Sequence, residues 1–158
     1  MATIATLHAR SELIRIGGGL DRDEQPLRLL YAFPHVVTWF RDILPTLKPD
    51  LSGGVQNPLE QVDFLLHEFV IGEDFSYYER CHCMMPGASG VWELKTPDVR
   101  LFGWFNSKCS FVIANADSAF RCKNHDLYEG YKTDTMYRRN NLDLDEPKFI
   151  EGEYGDVF

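Results

Sequence analysis

Val91–Lys123 reads VWELKTPDVRLFGWFNSKCSFVIANADSAFRCK, and the fold turns on this stretch. Three apolar runs, Val91–Leu94, Val99–Phe105 and Ser110–Ala114, are divided by two short polar breaks. The first break is Thr96-Pro97-Asp98, where proline presets a turn and cannot sit inside a central strand. The second is Asn106-Ser107-Lys108, of hairpin length between aromatic and β-branched runs. Each run is too short for an ordinary helix and long enough for a buried strand. The pattern predicts an antiparallel meander of three strands.

Upstream, Leu27–Phe33 is a buried-strand run stopped by Pro34, which suits the first turn of a following helix. Val36, Val37, Phe40, Ile43 and Leu44 then recur at helical spacing, and Pro45 and Pro49 end that helix. Asp50–Gln56, with Gly53-Gly54, reads as a loop. Asn57-Pro58-Leu59-Glu60 opens a second helix with a cap, a proline and an acid three residues on. Its apolar face is Leu59, Val62, Phe64, Leu65, Leu66, Phe69 and Val70, up to Gly72, and the lone His67 reads as a surface or satisfied residue rather than a catalyst. Phe75–Tyr78 and Cys81–Ser89 read as a loop or an extra short strand. Ile4–Ile16 reads as a strand or a helix, Gly17–Gly19 as a flexible joint, and Leu127–Tyr137 as a helix or turn.

The 158 residues predict a single domain, and a hydrophobic content of 44% fits a packed core. No apolar run approaches the ~20 residues of a membrane helix, and the first residues lack a signal-peptide pattern. The expectation is a cytoplasmic protein with no membrane partner. Cys81, Cys83, Cys122 and His125 could supply four zinc ligands, but the CxC spacing departs from the zinc knuckle, so core cysteines and no metal are expected.

The formal charge of −8 argues against a surface that grips nucleic acid throughout. It is unevenly spread. From Asp126 onward nine acids face four bases, a net −5, whereas Arg80–His125 holds six bases and three acids, a net +3.

From Leu27 the elements run strand, helix, helix and three antiparallel strands, which fits an α+β domain with helices packed on one sheet face. Within it stand Trp92-Glu93-Leu94-Lys95, Arg100-Leu101-Phe102-Gly103-Trp104 and Phe120-Arg121-Cys122-Lys123. These are similar to the (W/Y)-E-L-(R/K), arginine-led apolar and F-x-K-K-like segments on the second, third and fourth strands of the RelE/ParE toxin superfamily. The chain resembles its HigB-like, phage-associated branch most. The resemblance covers residues 27–125, a RelE-like core, and leaves 1–26 as an N-terminal and 126–158 as an acidic C-terminal extension. Two features depart from the family: this chain is acidic where the mRNA-cutting toxins are usually basic, and it is longer.

The resemblance implies a toxin of a toxin–antitoxin system, a ribosome-dependent mRNA endoribonuclease needing no cofactor and partnered by a cognate antitoxin. In that chemistry the ribose 2′-hydroxyl attacks the adjacent phosphate, and fixed cations stabilise the charge that develops. Lys95, Arg100 and Arg121 match the family's basic positions, with His125 and Tyr128 as proton-transfer candidates and Asp117 nearby. Lys123 and Trp104 would add RNA-binding contacts. By strand alternation Glu93 and Lys95 share a face, as do Arg100, Phe102 and Trp104. Arg100 therefore reads either as a phosphate or base contact or as the ion-pair partner of Glu93 or Asp98.

A second class fits the negative charge. A small acidic α+β protein can act by binding a basic surface, as phage-encoded inhibitors of host nucleic-acid-handling machines such as CRISPR effectors do, on a RelE-like scaffold without activity. Asp143-Leu144-Asp145-Glu146 and Glu151–Asp156 would then be the working surface, or an ordinary solvated terminus. A ParE-like gyrase inhibitor would use the same fold by binding alone.

Overall fold

The three apolar runs pair as expected into β4 (Trp92–Lys95), β5 (Val99–Ser107) and β6 (Ser110–Ser118), consecutive and antiparallel. The computed structural model describes residues 1–50, 56–76 and 80–158; the loop expected at Gly53-Gly54 and the Tyr77-Tyr78 end of the segment before the sheet lie outside them. At the proline turn, Val99 N–H donates to Thr96 Oγ1 at 3.0 Å and Thr96 N–H to Val99 O at 3.0 Å. The second turn comes later than expected. Ser107 pairs with Ser110, so Lys108-Cys109 makes the connection, with Cys109 at φ +61°.

A bulge sets the faces of the two long strands. Phe102 lies opposite Asn115 and Gly103 opposite Ile113, leaving Ala114 as the extra residue of β6. Without it, Asn115 and Asp117 would not share a face with Phe102 and Arg100. The backbones approach so closely there that a Cβ on Gly103 would lie 1.9 Å from Val112 O. Only glycine fits.

β2 (Leu29–Ala32) lies parallel to β6, β1 (Ile14–Arg15) runs antiparallel beyond it, and β3 (Cys81–Cys83) flanks β4. Among the described residues this is one six-stranded open sheet, ordered β1-β2-β6-β5-β4-β3. The sheet is therefore mixed, which corrects the expected antiparallel one. The long connection from β2 through two helices and the meander returns β6 beside β2 in the same direction, and only a crossover of that kind allows a parallel pair.

α2 (Pro34–Asp42) carries proline at its first position. α3 (Pro58–Ile71) has the expected capping box between Asn57 and Glu60 and ends at Gly72, φ +90°. Val62, Leu65, Leu66, Phe69 and Val70 of α3 pack with Leu30, Leu94, Leu101, Phe105 and Phe111 of the sheet. Phe64, expected on that face, is exposed. His67 is tied inward, its Nδ1 2.8 Å from Gly18 O, and Gly18 packs against Val70.

The expectation of helices on one face alone is also corrected. α1 (Ile4–Ala9) and α5 (Tyr128–Asn141) cover the other face. Leu7 packs there with Tyr31, Trp104, Val112 and Leu144, and Tyr131 packs over Phe102 and Cys122. The physical reason is in the strands: Phe102, Trp104 and Val112 leave an apolar second face that must be covered. Phe120–Lys123, expected at the end of the last strand, lies instead in α4 (Ala119–Asn124), whose first turn Ser118 Oγ caps by accepting Arg121 N–H at 3.1 Å. The acidic C-terminal stretch ends in α6 (Tyr154–Val157), with Val157 fully buried and Phe158 against Phe69, Phe75 and Phe105. Cys81 faces the α3 side and Cys122 the α5 side, and His125 is exposed, so these groups do not converge.

Gly103→Ala is expected to lower stability by at least about 2 kcal/mol through overpacking at the bulge. A thermal midpoint within a degree of wild type would show that β5 and β6 are not held at this distance.

Candidate functional site

Strand register builds two polar rows across the α5 side of the sheet. Lys95, Arg100 and Asp117 are cross-strand neighbours in one, and Glu93, Phe102 and Asn115 in the other. Arg100 is 7% exposed and Glu93 3%. Arg100 Nε lies 3.3 Å from Glu93 Oε1, and its Nη1 donates to Val99 O at 3.0 Å and to Thr96 O. Of the two partners open to Arg100 in the sequence, the structure selects Glu93. His82 Nε2, on β3, lies 3.7 Å from the other oxygen of Glu93.

Asp117 is equally enclosed and fully used. Tyr131 O–H donates to its Oδ2 at 2.6 Å, Arg121 Nε to the same oxygen at 3.1 Å, and Ser118 N–H to Oδ1 at 2.8 Å. Burial, reinforced by this carboxylate acceptor, pushes the Tyr131 phenol well above its ordinary range. The Cys122 thiol is pushed up to about 12, by burial first and Asp117 second. Neither group ionises near neutrality, so neither is a nucleophile or base there.

The residues expected to act are therefore only partly assembled. Lys95 is half-buried beside Arg100, and Arg121 reaches the same row through Asp117. Lys123 and His125 are exposed on and at the end of α4. Tyr128 starts α5 and sits edge-on to Phe102, ring centroids 6.1 Å apart. Trp104 is fully buried, its indole N–H donating to Lys148 O at 3.0 Å, so it presents no ring face to solvent.

Two features were missed by reading the sequence. An open pocket of about 420 Å³ lies between the Leu47–Asp50 segment, Asp98 and the first turn of α4, with Lys48, Phe120 and Arg121 in its wall. Residues so far apart in the chain share no local signal. Separately, Asn115 Nδ2 donates to Asp134 Oδ2 at 2.8 Å, Arg138 Nε to the same oxygen at 2.7 Å, and His35 Nε2 lies 2.7 Å from Ala114 O. Burial first, then the Arg138 charge, hold the His35 imidazole below its ordinary value. Among the described residues no group of three or more His, Cys, Asp or Glu is placed to hold a metal ion, and no helix is long and apolar enough to cross a membrane.

Removing one partner of a buried ion pair strands the other, so Arg100→Ala is expected to cost about 3–5 kcal/mol in urea unfolding. Tyr131→Phe, losing a hydrogen bond to a buried carboxylate, should cost about 1.5–3 kcal/mol. Arg121→Ala, which removes the exposed partner of Asp117 and leaves Tyr131 O–H and Ser118 N–H on that carboxylate, should cost clearly less than Arg100→Ala. Equal effects of the two arginine changes would contradict this division between structural and exposed cations. Comparison of the chain with family models, with curated proteins and with solved structures finds no match.

Proposed function

We propose that this chain is a RelE/ParE-like protein, nearest the HigB-like, phage-associated branch, that acts by binding a basic partner surface rather than by cutting RNA. The run from β2 through α2 and α3 to β4, β5 and β6 supports the fold half of this reading, with β3 as an added strand. The observation that carries the functional half is the cover on the sheet. Cleavage needs cations open to a phosphate. Here α5 lies over the row that the family resemblance makes catalytic, Tyr131 stacks on Phe102 at 5.0 Å, and Arg100 is committed to Glu93 and two carbonyls. A phosphate reaching Arg100 would have to displace a buried carboxylate.

The binding groups on this reading are the exposed carboxylates of the C-terminal stretch, Asp143, Asp145, Glu146, Glu151 and Glu153. Buried Leu142, Leu144 and Val157 anchor the backbone that presents them. Fixed charges of one sign suit a partner whose own surface is basic, such as a host nucleic-acid-handling machine. A ribosome-dependent endoribonuclease toxin, neutralised by an antitoxin, is the second reading. It is favoured by Arg121, whose side chain is 59% exposed beside Asp117 and Tyr131.

Inducible expression in a bacterium separates the two, with wild type beside Lys95→Ala/Arg121→Ala. These positions are chosen because Arg100 changes are expected to destabilise the fold and would confound the readout. Intact transcripts and continued translation are expected. Transcript cleavage with growth arrest, abolished by the double change, would replace binding by endoribonuclease action. DNA-damage signalling without cleavage would direct the binding reading to gyrase.

A further inference from the structure

The pocket beside α4 combines three side chains, of which only Arg121 enters either reading of the function. Phe120, in the first turn of α4, is 62% exposed and lies in its wall. A single exposed apolar side chain is ordinary, but this one lines an open pocket together with two cations. Arg121 follows it. Its Nε is fixed on Asp117, which orients the guanidinium, and no acceptor among the described residues takes its Nη groups. Lys48, across the pocket, is exposed and makes no ion pair among the described residues.

Asp98 is the acid of the pocket floor, and both of its oxygens are occupied. Oδ1 accepts Asp50 N–H at 3.0 Å, and Oδ2 accepts Gln61 Nε2 at 2.7 Å. It holds the Leu47–Asp50 segment against the sheet. The cations of the wall, Lys48 and Arg121, are two, which matches the charge of a single phosphate. The volume, about 420 Å³, falls in the ~300–1,000 Å³ range of small-molecule sites.

We propose that this pocket binds a nucleotide with one phosphate, its base stacked on Phe120 and its phosphate held between Arg121 and Lys48. Stacking on an aromatic side chain accepts any base, because every base has a π-face, and a planar guanidinium matches phosphate oxygens. The same chemistry is offered by a free nucleoside monophosphate and by the 5′-terminal nucleotide of an RNA strand. Neither requires bond cleavage, so the inference stands or falls independently of whether the chain cuts RNA.

Calorimetric titration of the full chain with AMP, GMP, CMP and UMP, and with adenosine, tests it. Each monophosphate is expected to bind, with AMP at least about tenfold tighter than adenosine, the margin of one charge-assisted contact. Phe120→Ala should weaken AMP about tenfold. Lys48→Gln should weaken it severalfold and flatten its salt dependence. Phe64→Ala, an exposed phenylalanine outside the pocket, should change nothing. All variants are first matched to wild type by circular dichroism. A 5′-phosphorylated hexanucleotide that binds tighter than AMP, with its 5′-hydroxyl counterpart weak, identifies an RNA end as the source; equal affinity for hexanucleotide and AMP identifies the free nucleotide. Absence of binding by folded wild type at millimolar nucleotide overturns the inference. So does binding that Phe120→Ala and Lys48→Gln leave unchanged.

Discussion

Strands β5 and β6, nine residues each, are covered on both faces over most of their length, and the charges they carry, Arg100 and Asp117, are almost wholly buried. Transferring an ion from water into such a place costs several kcal/mol unless it is paired and its remaining hydrogen-bonding positions are filled. Much of the polar architecture answers that constraint. Arg100 meets Glu93 and caps two carbonyls of the proline turn; Asp117 takes a phenol, a guanidinium and a backbone N–H. Other buried arginines are held differently. Arg28 lies 4.7 Å from the Phe158 ring and donates to Phe69 O, and Arg139 lies 3.7 Å from the Phe149 ring. For both, burial lowers the guanidinium pKa, and an aromatic face returns part of the lost solvation.

The cover that creates this constraint comes largely from the two ends of the chain. Ala2 bridges Leu144, with Ala2 N–H on Asp143 O and Asp145 N–H on Ala2 O, each at 2.8 Å. Further on, Lys148 O accepts the Trp104 indole N–H, and Ile150 N–H donates to Phe105 O. Phe158 then enters the opposite core among Phe69, Phe75 and Phe105. The C-terminal stretch thus crosses from one side of the sheet to the other. It fixes its acidic residues on a backbone anchored at both ends of its path, which a merely solvated tail would not do.

How much of this could be read from the residues depends on the range of the signal. The existence of the three meander strands, the Thr96-Pro97-Asp98 turn and the Asn57–Glu60 capping box are local and were legible, whereas β5 and β6 run further than their apolar runs. Alternation correctly paired Glu93 with Lys95 and Arg100 with Phe102, but alternation says which residues share a face and nothing of what lies over it. A helix that starts ten residues after β6 ends decides that, through Tyr131 on Phe102. The Ala114 bulge was hidden because an extra alanine looks like strand continuation. The Phe120–Lys123 segment was expected at a strand end from the family resemblance alone, whereas the Ser118 cap before it starts a helix. For the candidate site, Glu93 was legible as a partner of Arg100. The Asp117–Tyr131 bond and the Lys48–Phe120 pocket wall depend on topology alone.

The same constraint changes the meaning of the charge count. The segment Arg80–His125 is net +3 along the chain, yet half of its cations face carboxylates within the fold: Arg80 with Glu68, Arg100 with Glu93 and Arg121 with Asp117. The basic sheet of the sequence is therefore not a basic surface. Among the described residues, the buried charged groups are four cations, Arg28, Arg100, Lys132 and Arg139, and three anions, Glu93, Asp98 and Asp117. Setting these seven aside, with their net +1, leaves −9 for the rest of the chain, slightly more negative than the −8 of the whole. Such a field repels a polyanion at long range and steers basic surfaces inward. Nucleic acid would have to approach against it, held only where local cations such as Arg121 and Lys48 stand in front of an aromatic face. A single nucleotide meets that condition more readily than an extended strand, because its one phosphate needs only the local pair.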